Sequence, residues 1–204
     1  MKNYRRKVLD CTIRDGGLIN NHYFSDDFVR AVYKGLSQSR IEYVEVGYRS
    51  SKKLASPDEY GPWKFCDDDK ISQVLGDLKS DLKISIMVDA HRIEDQPFRP
   101  ADQSLVDMIR TATYIRDIDA AIGMINRAKD LGYEATANLM AISLETDESI
   151  VEALKKLAAS PVDVVYIVDS YGSLYSRRVV ELMGLAQRYL PETSLGIHCH
   201  NSLQ

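Results

Sequence analysis

The sequence predicts an α/β fold of parallel strands covered by helices, a TIM-type (β/α)8 barrel that runs to about its seventh strand with the eighth missing. Three observations carry this expectation. Short β-branched runs alternate with longer amphipathic stretches, and no hairpin turns lie between them. The runs VVYIVD and KISIMVD are almost continuously apolar, as strands buried on both faces are. Polar residues recur at the carboxyl ends of the runs: Arg14 and Asp15, Glu45, Asp89, Arg110, Asn138, Asp169, and His198 with His200. Open doubly wound sheets and closed barrels both keep function at that end of the strands. An open sheet usually carries a Gly-rich phosphate loop after its first strand. Here the first run ends in IRDGG, which is neither a dinucleotide fingerprint nor a Walker loop. Polar contributions spread along the whole chain suit a barrel mouth better than a single crevice.

Taken in order, the predicted strands are 7–13, 41–47, 82–88, 105–111, 135–142, 162–168 and 194–198. Between them, 26–38 reads as a helix with Ser25 as its N-cap and Phe28, Val29, Val32 and Leu36 on one face. A second helix, 118–131, stops at Gly132. A third, 147–159, places Ile150, Val151, Leu154 and Leu157 on one side and stops before Pro161; a fourth, 176–189, stops before Pro191. Segment 60–65 (YGPWKF) reads as an ordered loop, serving either as a lid over the mouth or as packing for a neighbouring subunit. Asp67, Asp68 and Asp69 read as a solvated loop or a helix start rather than a cation site. Arg49, Lys52 and Lys53 read either as receivers of a carboxylate or phosphate or as an exposed basic loop. Segment 93–104 reads as a loop, with Pro97 and Pro100 opposing a helix. No linker or repeat interrupts the chain, so residues 1–204 read as one partial catalytic domain.

Composition narrows the function. The 204 residues carry 26 Lys and Arg against 30 Asp and Glu, a net charge of −4. That opposes a nucleic-acid binder working by broad phosphate neutralisation. No apolar run reaches the roughly 18–20 residues of a membrane helix, and the basic N-terminus lacks the apolar stretch of a signal peptide. Three cysteines, Cys11, Cys66 and Cys199, are few and odd in number. They point to a reducing compartment, hence a cytoplasmic protein.

The chemistry concentrates in two places. The last run, LGIHCHN, sets His198 and His200 two residues apart on a strand, so both point to the same side and Cys199 faces away into packing. Two histidines and a carboxylate make a common facial site for a divalent metal, with positions left for water or substrate. Asp15, at the end of the first strand, can complete the set; the plainer alternative is a chance pair of half-buried histidines. Glu45 within YVEVGY and Asp169 within IVDSYGS are carboxylates in apolar strands, costly to bury without partners. Arg14 is a candidate partner for either.

LDCTIRDGG and the terminal GIHCHN resemble the first-strand and metal-binding signatures of the DRE-TIM metallolyase superfamily, which includes hydroxymethylglutaryl-CoA lyases and related aldolases and Claisen-condensing enzymes. YVEVGYRSS and VDSYGS are similar to its second and sixth strand ends, and order and spacing match along the whole chain. The likeness is nearest to the aldolase-like branch that cleaves 4-hydroxy-2-oxovalerate. The resemblance implies Asp15, His198 and His200 as metal ligands, with Asn201 as a further ligand or neighbour. It implies Arg14 as the group facing the developing enolate oxygen, Glu45 as a carboxylate beside it, and Asp169 in a supporting role. It implies Mn²⁺ or Mg²⁺, with Zn²⁺ or Co²⁺ compatible with the nitrogen donors. The expected reaction is carbon–carbon cleavage of a 4-hydroxy-2-oxo acid or related hydroxy-keto compound. The alternatives are a Claisen-type acyl transfer from an acyl-CoA to a 2-oxo acid, and a non-catalytic barrel used as an assembly module. Tyr48, Arg110, Asn138, Asp169 and Tyr171 are further candidates to face substrate.

Two departures from the family pattern stand out. Hydroxy-oxovalerate-cleaving relatives carry a histidine three residues after the metal-binding aspartate, where this chain has Leu18. His22, further along the loop, is the candidate to replace it as the base, with Tyr48 and Tyr171 as weaker candidates; the plainer alternative is a solvated loop histidine. The chain also stops after the seventh strand, short of the about 250 residues of such barrels. That predicts a fragment of a longer protein, or association through the open edge, as in a homo-oligomer.

Overall fold

In the first of two compact units of the computed structural model, Met1–Val88 with Arg92–Ile109, a two-residue strand β1 (Leu9–Asp10) leads directly into a short helix, α1 (Thr12–Gly16). The structure describes residues 6–90, 98–200 and 202. Helix α2 (Asp26–Gln38), strand β2 (Tyr43–Tyr48), helix α3 (Asp68–Leu75) and strand β3 (Lys83–Asp89) follow. The strands pair in chain order and in parallel, Leu9 with Tyr43 and Tyr43 with Lys83. Ile13, Val29, Val44, Val46, Ile71 and Ile86 are fully buried in this unit's core.

The second unit is Asp89–His91 with Arg110–Gln204, and the boundary falls inside β4 (Val106–Thr113). It contains α4 (Ile118–Asp130), β5 (Glu134–Leu139), α5 (Asp147–Ala158), β6 (Val164–Asp169), α6 (Ser176–Tyr189) and β7 (Ser194–Cys199). Again the strands pair in chain order and in parallel, Thr136 with Val164 and Val164 with Ser194. Parallel neighbours in sequential order are the order of a (β/α)8 barrel carried to its seventh strand. This is the expected fold class. No helix among the described residues is long and apolar enough to cross a membrane.

The helices follow their sequence signals closely. Ser25 Oγ accepts the Phe28 amide, and Thr146 Oγ1 accepts that of Ser149, so α2 and α5 begin where a side chain satisfies a free amide. Strand ends deviate for local reasons. The first run gives only two strand residues because the Asp10 carboxylate takes the Thr12 amide and hydroxyl, turning the chain into α1. The fifth run stops at Leu139, and Ala141 takes a left-handed φ of 53°. In β2 the register shifts between Glu45 and Tyr48. Gly47 at that bulge has φ 152°, and a Cβ there would lie 1.9 Å from the Trp63 carbonyl oxygen.

Three expectations change. The acidic run begins α3, but Asp68 is not solvated. It is buried, 3.1 Å from the Arg49 guanidinium, and its carboxylate accepts the Ser104 hydroxyl at 2.6 Å. Arg49 therefore serves the interior: it also donates to the Cys66 carbonyl at 2.8 Å and lies over the Phe98 ring. Segment 60–65 forms a 3-10 turn, Pro62–Lys64, whose Trp63 is fully buried, so its tryptophan is core. Cys199 is exposed rather than packed. Among the described residues β7 pairs with β6, and its side chains are half-buried or exposed on both faces, so alternation along the strand does not hide Cys199. Within 93–104, residues 93–97 lie outside the described residues; 101–103 form a 3-10 turn.

Breaking the buried Arg49–Asp68 pair leaves a desolvated guanidinium without its counter-charge. Asp68→Ala is expected to cost about 3–5 kcal/mol in urea unfolding, against about 1 kcal/mol for removing the α2 cap in Ser25→Ala. Equal, small losses from both would contradict the buried-pair assignment.

Candidate active site

In the first unit the site grows from α1. Its single turn is closed by the Asp15 amide on the Cys11 carbonyl and the Gly17 amide on that of Ile13. Ile13 is fully buried, which fixes the rotation of the turn and directs Arg14 toward β2. There Arg14 Nε donates to Glu45 Oε2 at 2.7 Å, and Nη1 bonds Asp15 Oδ1. The Cys11 thiol also donates to Glu45 Oε2, at 3.5 Å. Glu45 is wholly buried in the middle of β2, so its burial is compensated as the sequence demanded. Burial works against the charge of Arg14, yet Glu45, and after it Tyr48, Cys11 and Asp15, hold its pKa above the ordinary range. The guanidinium is a fixed cation with its side chain nearly buried.

Around this pair stand Tyr48 and His22. Arg14 Cζ is 5.9 Å from the Tyr48 ring centroid, Lys64 Nζ is 4.6 Å from it, and the His22 ring meets it edge-on at 5.4 Å. His22 is 1% exposed and takes φ 62°, so it is no solvated loop residue. The second glycine of IRDGG explains its seat: a Cβ on Gly17 would lie 2.0 Å from His22 Nδ1. A Cβ on Gly61 would lie 2.2 Å from the His22 carbonyl oxygen. Burial first, then Lys64 and Arg14, lower the His22 pKa to about 4. Burial first raises the Tyr48 hydroxyl above its ordinary range. Leu18, at the position of the family histidine, is 64% exposed.

In the second unit, His198 and His200 lie together with ring centroids 4.9 Å apart and planes at 80°. His200 Nδ1 is 2.9 Å from the Asp169 carbonyl oxygen. A carbonyl only accepts, so Nδ1 carries the proton and Nε2 keeps its lone pair. The Asp169 carboxylate is also engaged, taking the Ser173 amide at 3.0 Å and the Leu174 amide at 2.9 Å. Arg110 is buried on β4 with its guanidinium 4.4 Å from the Tyr166 ring centroid, and Asn138 is buried on β5 in register with Tyr166. Tyr171 is exposed in the loop after β6. Asn201 lies outside the described residues.

The structure thus brings Arg14, Asp15, Glu45, Tyr48 and His22 together in one unit, and His198, His200 and Asp169 in the other. Sequence reading missed Lys64, which sits in YGPWKF beside the turn proline, and the Asp169 carbonyl, which no side-chain pattern reports. In the second unit the donor chemistry of two neighbouring imidazoles, one of them with its tautomer already set, fits a divalent cation.

The parallel β/α order of the strands defines the class as that of the TIM-type barrels. The chain belongs to the HMGL-like family, whose model matches residues 5–204. It is 29% identical over 196 residues to a 4-hydroxy-2-oxovalerate aldolase of Geobacillus thermodenitrificans, covering 96% of this chain and 56% of that protein. It is 28% identical to 4-hydroxy-2-oxovalerate aldolase 3 of Cupriavidus necator, covering 95% of this chain and 57% of that protein. The chain therefore spans a little over half the length of these curated relatives. Its fold superposes with a TM-score of 0.76 on the HMG-CoA lyase of Bacillus subtilis, at 12% identity, covering 98% of this chain and 71% of that one.

The His22 assignment predicts a pH dependence with a definite sign. A histidine depressed to about 4 from about 6.5 binds fewer protons folded than unfolded between those values. Its neutral burial is fully tolerated above about pH 6.5, and stability falls as pH drops toward 4. Wild type should lose more urea resistance over that window than His22→Gln, and the His22 ring resonances should not titrate above pH 5. A ring titrating near 6.5 would contradict its burial.

Proposed function

We propose that the chain is the barrel portion of a divalent-metal-dependent aldolase acting on a 4-hydroxy-2-oxo acid. The observation that carries this is the buried Arg14, locked by Glu45 beside Asp15. A permanent cation held rigidly at a strand end suits an oxygen on which negative charge develops. Asp15, His198 and His200 are the proposed ligands, with Asn201 a further one, and Mn²⁺ or Mg²⁺ the metal; Zn²⁺ and Co²⁺ suit the same donors. Such an ion supplies charge stabilisation for the substrate's 2-oxo group and carboxylate.

The chain's own residues do the rest. His22 is neutral above about pH 5 and accepts the proton of the C4 hydroxyl. The O–H pair becomes the new C=O of the departing aldehyde, and the C3–C4 bond breaks. Its electrons pass into the enolate, whose oxygen Arg14 receives, and a proton returned to C3 gives the 2-oxo acid product. The low basicity of His22 is set in part by Lys64 and Arg14, so an anionic substrate between these cations raises it toward working pH. Tyr48 orients His22 and Arg14 across its ring. Arg110, Asn138 and Tyr171 are proposed to face substrate. The whole is read as a single catalytic domain, working as a small-molecule enzyme in a reducing, cytoplasmic compartment that suits three cysteines held in no disulfide. Association between copies along the β7 side is supported by Ile197, 44% exposed there.

The test is pyruvate release from a panel of 4-hydroxy-2-oxo acids with added Mn²⁺. Arg14→Lys is expected to lower kcat by about 10²–10³-fold, because a point charge cannot keep the Glu45 bond and face the oxygen together. Asp15→Asn is expected to abolish metal-dependent release. Release unchanged by both substitutions, or no pyruvate from the panel together with coenzyme A release from an acyl-CoA supplied with a 2-oxo acid, would overturn the reading.

A further inference from the structure

We infer that the turn after β6, residues 169–172, is a positioning device that sets the tautomer and reach of His200. The inference rests on the reading of His200 as a metal ligand and extends it to residues that do not touch the metal or substrate. The Asp169 carbonyl accepts at three points: His200 Nδ1 at 2.9 Å, the Gly172 amide at 3.3 Å and the His200 amide at 3.4 Å. That carbonyl would swing freely on an ordinary loop. Here it is pinned, because both oxygens of the same residue's buried carboxylate hold the Ser173 and Leu174 amides. Side chain and backbone of one residue therefore work in series: the carboxylate shapes the turn, and the turn aims the carbonyl.

Gly172 completes the mould. It adopts φ 61°, where L side chains are strained, and a Cβ on it would lie 2.6 Å from the Ser202 amide and 2.8 Å from the His200 carbonyl oxygen. The turn and the segment carrying His200 approach backbone to backbone, which only glycine permits. Asp169 is thus a positioning residue rather than a substrate contact, since its carboxylate oxygens already hold amides. An imidazole whose Nδ1–H is bound to a carbonyl presents Nε2 as a ready donor, with orientation fixed before any ion arrives.

Long-range ¹H–¹⁵N spectra of the metal-free chain at about pH 8, where imidazoles are neutral, read the tautomer directly. Wild type is expected to hold the His200 proton on Nδ1. Asp169→Ala is expected to shift His200 toward Nε2–H while leaving the backbone amide spectrum of both units dispersed as in wild type, which reports that the chain is folded. Mn²⁺ affinity is expected to fall about 10–100-fold in Asp169→Ala and in Gly172→Ala. Asp169→Asn should fall less, because its amide oxygen still accepts one of the two N–H groups. If Asp169→Ala does not fold, Gly172→Ala carries the same tautomer test without altering any polar group. Wild-type His200 protonated on Nε2, or an Nδ1–H tautomer unmoved by both substitutions, overturns the inference. If His200→Ala binds Mn²⁺ as wild type does while the tautomer shift stands, the metal-ligand reading fails and the positioning role survives.

Discussion

The buried ion pair between Arg14 and Glu45 is the constraint on which the first half of the site depends. Neither charge is tolerable there alone, and each justifies the burial of the other. The pair fixes α1 against β2, so the peptide that presents Asp15 has one orientation. It also keeps a cation beside Tyr48 and His22, which contributes to keeping the histidine neutral. A buried pair of this kind is weak evidence of added stability. It is better understood as a device for pre-organisation, which is what an oxygen-facing cation requires.

Two glycines and a bulge carry out the fine placement. Gly17 gives the His22 ring a flat seat, and Gly47 lets the Trp63 backbone pass against β2 where Tyr48 is turned toward the site. In the second unit a pinned carbonyl does for His200 what Glu45 does for Arg14. In both, a hydrogen-bonded neighbour fixes where a side chain points. A barrel supports this arrangement because strand ends are rigid while the turns that follow are free to vary.

The fold was legible because periodicity reports it directly. The α2 and α6 boundaries follow from a cap and a proline, and the apolar runs of β3 and β6 read as buried strands. Strand ends were less legible: Asp10 ends β1 through a side-chain bond, and Ala141 ends β5 by its backbone angle. Of the site, Arg14, Asp15, Glu45 and the histidine pair could be named from residue type and position. What could not be read was environment. His22 looked like a loop histidine, and only the fold puts it against Gly17 and beneath two cations. Asp68 looked like a solvated charge, and Arg49 either like a receiver of a carboxylate or like an exposed one, until the fold brought them together. Cys199 obeyed strand alternation and yet is exposed, since alternation assigns a face but not what covers it.

We propose Asp15, His198 and His200 as the ligands of a divalent cation. An anomalous-difference map from crystals grown with Mn²⁺ tests it most directly. A single strong peak bounded by the Asp15 carboxylate and the imidazoles of His198 and His200 is expected. A peak elsewhere, or none at those three side chains at saturating Mn²⁺, would contradict it.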